Sequence, residues 1–432
     1  MKKHVFTRLA LCLLVLVVAG SACFGVMAAK KVTIKFFSNL PDRTSGQGRL
    51  EQMLVERYMA ENPNVEVKIE ALQDEPYKQK FRVYVAGNQL PDLFMVWGQP
   101  SFFNPIMKGG YAAELNPKDY KDYDFFPGSL NGFSMNGRLY GLARITDLMV
   151  LYYNKAIFKE NGVKVPSNYE ELLAATKAFR KKGIAPCAIN GRDQWTLNIL
   201  YQDLVVKESG DQNLLNDALA QKVKFAENKS LLAAAKDFKD LVDLGFFQDS
   251  FIAADYGSAR NLFAQERAVM FYMGSWEVGM ATDENLSASF RKNLSAIAFP
   301  GMKKGKTTDV MAWNGGGYAV SANSKVKKEA IKLLNYMMRP ENWAKNAWQM
   351  GLAIPAQRYD RFMTGKETAL QVKLTKILNN VTSTSGTPWN DAATPQFKTD
   401  SQTLIQEFAA GLCTPEEFLR RCDRISQEAL AE

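Results

Sequence analysis

Few of the side chains that most often carry chemistry are in use here. The single histidine is His4, close to the N-terminus. The rest of the chain therefore has no imidazole for a triad, a general base or a zinc site. The spacing of Cys187, Cys413 and Cys422 fits no zinc motif. Cys413 and Cys422 could pair in an oxidising compartment, though a buried free thiol is the commoner state for so few cysteines. The glycines of AWNGGGYAV lack the spacing and the lysine of a phosphate loop, which sets nucleotides aside. Carboxylates and tryptophans remain. In AVMFYMGSWEVG the apolar run stops at Gly274, and Trp276 follows two residues later, beside Glu277. An indole just past a strand end can project into a crevice, because open parallel sheets bind ligands beyond the carboxyl ends of their strands.

Composition bounds the rest. A chain of 432 residues, 47% hydrophobic and 23% charged, reads as a globular protein of two domains or one large bilobal body. Lys2, Lys3 and Arg8 precede the apolar LALCLLVLVVAG and a run of small residues, which marks residues 1–29 as an export signal. Cleavage falls either before Cys23, as in a lipoprotein with an acylated cysteine, or after VMA, before Ala29. The expected location is outside the cytoplasmic membrane, periplasmic or lipid-anchored. The mild basic excess left after the signal is scattered, so a nucleic-acid groove is not expected.

Periodicity then places the elements. VTIKFF reads as a strand, Leu50, Met53, Leu54 and Tyr58 recur at helical spacing up to Asn62-Pro63-Asn64, and VEVKIEAL alternates as a half-buried strand. That order implies a parallel βαβ unit. A second helix over 77–87 and the apolar strand of PDLFMVWG follow. Further strands are expected at LMVLYYNK and ERAVMFYMG, with two to three helices filling 195–245. Ser167 with Glu170 reads as a capping box, Ser324 as the cap of the helix before Pro340, and Thr414-Pro415 as the start of the last helix. The fold class is α/β. Trp343 and Trp348 read as core.

The stretches VTIKFFSN, PDLFMVWG, LYYNKAIFKENGVKVPSNYEELLAATKAF, FAQERAVMFYMGSWE, GGGYAVSANSKVKKEAIKLLNYMMRPENW and GLAIPA, in this order, resemble the family-1 extracellular solute-binding proteins of ABC importers, the group that includes maltose-binding protein. The resemblance implies two lobes, each a mainly parallel sheet flanked by helices, around a ligand cleft. Residues 30–145 and 311–340 would build the first lobe, and 146–310 and 341–432 the second. It further implies a sugar ligand, hinge closure, a membrane permease as partner, a monomer, and no cofactor or metal.

A sugar offers CH-lined faces to flat rings and a rim of hydroxyls to polar groups. A hydroxyl buried unpaired would cost about 1–3 kcal/mol. The resemblance places Trp276 at the family's stacking position and Asp147 where maltose-binding protein has an acidic residue that bonds sugar hydroxyls. The other expected contacts are Asn39 and Arg43 after the first strand, Trp97 and Gln99 after the third, and the pair Asp193 and Trp195. Glu277 beside Trp276, the turn of Trp313, Asn314 and Gly315, and the late loop holding Trp389 and Asp391 complete the set. Pro100 and Ser101 depart from the charged pair of maltose-binding protein, which puts maltose itself in doubt. Two alternatives stay open. A polyamine or other non-sugar solute could occupy the cleft, and two carboxylates such as Asp147 and Asp391 could serve an exported glycosidase, although no glycosidase motif is present.

Overall fold

The computed structural model describes residues 31–431. The expected export signal and Cys23 lie outside the described residues. β1 (Val32–Ser38) buries Ile34, Phe36 and Phe37. α1 (Gly46–Glu61) lays Leu50, Leu54, Val55 and Tyr58 on it. The chain returns as β2 (Val65–Ala71), parallel to β1 from Val32↔Val65 to Ser38↔Ala71, which is the expected βαβ unit. α2 (Asp74–Ala86), β3 (Leu93–Trp97) and α3 (Pro100–Lys108) follow, with β3 parallel to β1.

After β4 (Leu142–Ala143) the chain crosses to a second sheet as β5 (Asp147–Asn154). That lobe then adds α4 (Tyr169–Lys181), β6 (Ala185–Ala188), α5 (Trp195–Ser209), α6 (Leu214–Leu219), α7 (Lys229–Asp243), α8 (Tyr256–Ala264), β7 (Ala268–Gly274) and β8 (Leu294–Ile297). β9 (Ala312–Trp313) pairs with β5, and β10 (Gly316–Val320) returns to the first sheet. α9 (Lys327–Met338), α10 (Trp343–Gln349), α11 (Pro395–Ala409) and α12 (Pro415–Ala431) complete these elements.

The first sheet runs β2-β1-β3-β10-β4 and the second β8-β5-β7-β6. The sheets are more mixed than the expected mainly parallel pairing. β2, β1 and β3 are parallel, as are β6 and β7. β10 runs against β3 and β4, and β5 against β7, β8 and β9. The physical reason is the crossing: β5 and β10 each enter their sheet from the other lobe and so run opposite to its locally built strands.

Several local expectations shift by a residue or more. α4 is capped by Asn168, whose side chain accepts from the Glu171 N–H at 2.8 Å; Glu171 reaches back to the Ser167 N–H and Oγ. The capping pair is therefore displaced by one position from Ser167 and Glu170. Ser324 does not cap α9. It donates to Asp92 and accepts from the Val326 N–H, forming the turn before the helix. Thr414 does accept from the Glu417 N–H at the start of α12.

Trp343 and Trp348 are fully buried. Trp343 lies in the first sheet's core with Ala347, Leu352 and Ala356, beyond the expected lobe limit at 340. Trp348 stacks on Tyr359 at 4.2 Å in a core of the second sheet. α10 thus presents one face to each core, and Pro340 ends a helix without ending a lobe. Cys187, Cys413 and Cys422 are free thiols. Among the described residues no helix is long and apolar enough to cross a membrane, and no side-chain cluster could hold a metal ion.

Candidate functional site

The loops at the facing ends of the two sheets enclose a cavity of about 410 Å³, within the usual range for a small-molecule site. Of the residues singled out from the sequence, Asn39, Trp97, Gln99, Asp147, Trp195, Trp276, Glu277, Trp313 and Asp391 line it. Arg43, Asp193, Asn314, Gly315 and Trp389 do not.

Trp276 lies on the wall because β7 ends in glycine. A Cβ on Gly274 would fall 2.0 Å from the indole, so the ring folds back over bare backbone. Its ring meets Trp313 edge-on at 6.1 Å and Trp195 at 5.9 Å, so three indoles from three elements form one aromatic wall. The Trp276 Nε1–H donates to the Tyr256 hydroxyl at 3.1 Å, and that hydroxyl donates to Glu277. Arg260 holds the second oxygen of Glu277 at 2.9 Å and also pairs with Asp283. Glu277 therefore orients Trp276 through Tyr256, with both oxygens engaged. On the opposite side Trp97 carries the Lys78 ammonium 4.9 Å above its ring, while Lys78 is paired with Asp74 and Glu75.

Asp147 opens β5 and is 4% exposed. Burial pushes its carboxyl up to about 7, against the pull of Arg144 and of the Gly315 and Gly316 N–H groups. Its Oδ1 has no partner in the protein. The same holds for the Arg144 Nε, the Trp195 Nε1, the Trp313 Nε1 and the Gln47 Oε1, all buried atoms of residues on the cavity wall. A buried polar atom without a partner is costly, so a cluster of them around one cavity marks where a ligand's polar groups belong.

Asp391 lines the cavity, but its Oδ1 accepts from Ser101 at 2.6 Å and from Lys398. It bridges the lobes. Trp389 is a correction: it is fully buried among Tyr201, Phe225 and Phe397, with its Nε1 on the Asn198 carbonyl. Its loop turns the ring inward onto α5 while Asp391 faces out. Arg43 stands one layer back, holding Glu51. Asp193 accepts from the Tyr256 N–H and the Asn190 amide, which positions α8. Asn314 accepts from Thr146 Oγ1 at 3.1 Å and ties the two crossing segments together. Gly315 sits beneath Asp147 and Trp313.

Sequence reasoning missed Gln47, Lys78, Arg144, Tyr256, Arg260 and Lys398 on the wall. Arg144 left one signal, a lone charge inside the apolar stretch LARI just before β5. It is 3% exposed and bonds Asn39, Glu51 and Tyr318. The others lie on helices and read like ordinary surface residues.

Two lobes joined by crossing strands, with an enclosed polar and aromatic cavity between them, define the class of solute-binding proteins. The chain belongs to the bacterial extracellular solute-binding protein family, whose model matches residues 41–342. It is 28% identical over 316 residues, 71% of each chain, to a multiple sugar-binding protein of Streptococcus mutans. Among solved structures, one from work on xylan utilization by the thermophilic bacterium Caldanaerobius polysaccharolyticus superposes with a TM-score of 0.82 at 26% identity, covering 92% of this chain and all of that one. A chitin oligosaccharide binding protein shares the fold with a TM-score of 0.82 at 22% identity, over 93% of this chain and 100% of its own.

Proposed function

We propose that this protein captures a sugar in the cavity between its lobes and delivers it, by hinge closure and reopening, to an ABC permease in the membrane. The observation that carries the reading is the wall of Trp195, Trp276 and Trp313 set among unpartnered buried donors and acceptors. Flat rings suit the CH faces of a pyranose, and the unpartnered atoms suit its hydroxyls. The multiple sugar-binding relative and the chitin oligosaccharide binding protein support the same class. Asp147, Trp276, Trp313, Trp195, Trp97, Asn39 and Gln99 are the ligand-contacting residues in this proposal.

The protein acts without catalysis. A glycosidase needs two carboxyl groups poised on one bond, whereas both oxygens of Glu277 are taken by Tyr256 and Arg260, and Asp391 is held through Oδ1 by Ser101 and Lys398 and through Oδ2 by the Asn390 amide. The lobes divide at the crossings near 145 and 314, with 343–356 shared between cores. The protein works as an exported monomer, free or anchored through Cys23.

Thermal unfolding of the chain from Ala29 against sugars, polyamines and amino acids tests this. A ligand at 100 times its dissociation constant adds about 2.7 kcal/mol of stability. A sugar hit lost in Trp276→Ala supports the reading. A response to polyamines or amino acids with none to sugars overturns it.

A further inference from the structure

Asp147 and Trp313 are register partners across the antiparallel pair of β5 and β9. The chain then turns through two glycines. A Cβ on Gly315 would lie 2.5 Å from Asp147 Oδ2 and 2.5 Å from Trp313 Nε1. A Cβ on Gly316 would lie 3.1 Å from Arg144 Nε. Three polar groups thus converge above two residues without side chains. Asp147 Oδ1, Trp313 Nε1 and Arg144 Nε are each buried and unpartnered. The other guanidinium nitrogens of Arg144 bond Asn39, Glu51 and Tyr318, and Glu51 is itself held by Ser38 and Arg43, so the direction of the Nε–H is fixed.

The unsatisfied set is two N–H donors and one carboxylate oxygen with two lone pairs. An ammonium group only donates and leaves both N–H groups unpaired. A carboxylate only accepts, and here it would face Asp147. Among the described residues that line the cavity no free cation would offset that repulsion. Lys78 is paired with Asp74 and Glu75, Arg260 with Glu277 and Asp283, Lys398 with Asp391, and Arg144 with Glu51. A hydroxyl both accepts and donates. Two hydroxyls on adjacent carbons would each take one N–H and each donate to Oδ1.

We infer that the corner over Gly315 and Gly316, formed by Asp147, Trp313 and Arg144, reads a vicinal diol of an uncharged sugar and sets the specificity of the cavity. This rests on the sugar reading above. Trp313 and Arg144 are then specificity-determining residues through their N–H groups, apart from any stacking by the indole.

The test is calorimetric titration with glucose, galactose, xylose, maltose and raffinose, then with the single-deoxy analogues and the uronic acid of the tightest binder. Trp313→Phe keeps a ring and deletes the N–H; Asp147→Asn deletes the charge. Two deoxy analogues, at adjacent carbons, are expected to lose about tenfold each or more, with the uronic acid at least as weak. In Trp313→Phe one of these losses shrinks, since that hydroxyl keeps only its bond to Asp147 Oδ1. Unfolding temperature and circular dichroism check each variant's fold, and Trp313→Phe alone suffices where Asp147→Asn does not fold. Deoxy losses at no adjacent pair, losses unchanged in Trp313→Phe, or a uronic acid that binds as well as the neutral sugar overturn the inference while sugar binding stands. A panel with no binding sugar overturns both.

Discussion

Ser101 Oγ donates to Asp391 Oδ1 at 2.6 Å, joining α3 of the first lobe to a loop of the second across 290 positions of sequence. Lys398 pairs with the same carboxylate. On the other flank Gly279 packs against Gly46, where a Cβ would lie 3.1 Å from the Gly46 Cα. The lobes are therefore in direct contact on two sides of the cavity. Any bond made only when closed shifts the balance toward that form by its own free energy.

Ser101→Ala removes one charge-assisted cross-lobe bond and leaves Asp391 paired with Lys398. Ligand affinity is expected to fall about threefold to tenfold, mostly through faster release, from a net loss of about 1 kcal/mol. Stopped-flow tryptophan fluorescence reads it. An unchanged dissociation rate would show that the bond also forms in the open protein.

Trp276→Ala removes the central ring of the aromatic wall, and affinity should drop by about tenfold to a hundredfold, given the 1.5–3 kcal/mol typical of a large apolar side chain. Tyr256→Phe keeps the ring but releases both Trp276 Nε1 and Glu277, so a loss of about fivefold to tenfold is expected from disorder of the indole. Equal affinities for Tyr256→Phe and the natural protein would place no role on that network.

Asp147 makes binding depend on pH. Its folded carboxyl is raised to about 7 from 3.8 by burial, so between about pH 4 and 7 the native state holds a proton that the unfolded chain has lost. Its contribution to stability therefore declines as pH rises through that window and is lowest above 7. Hydroxyls that donate to Oδ1 favour the ionised form. Affinity should accordingly rise from pH 5.5 to 8 by up to about tenfold per unit below 7, then level off. Arg144 and Glu51, the charged groups behind Asp147, are already paired with each other. Calorimetry across pH checks the slope, and Asp147→Asn should flatten it.

Glu51 is fully buried and accepts from Ser38, Arg43, Tyr318 and Arg144. Glu51→Ala leaves two guanidinium groups without their carboxylate, and breaking a buried pair this way costs about 3–5 kcal/mol. Urea unfolding should show a lower midpoint. Ligand affinity should fall as well, because Arg144 loses its anchor.

The order of strands and helices, the βαβ start, the buried third strand and the final helix were legible in the sequence, because period, caps and breakers act over a few residues. The family is legible too, from motif order. Trp276 and Asp147 could be placed on the wall because each adjoins an end of an unmistakable strand. What only the tertiary structure decided is which polar group keeps a free atom. Asp391 and Glu277 look like Asp147 in the sequence, yet Tyr256 and Arg260 claim both oxygens of Glu277, and Ser101 and Lys398 claim Oδ1 of Asp391 from other elements while Asn390 bonds its Oδ2. Trp389 looks like Trp313, yet it turns into the core against Tyr201 and Phe397. Arg144 became visible only when Gly316, Asn39 and Glu51 closed around it. Local pattern sets where an element begins and which face is apolar. Hydrogen-bond satisfaction depends on partners a hundred or more residues away, and no local pattern carries that.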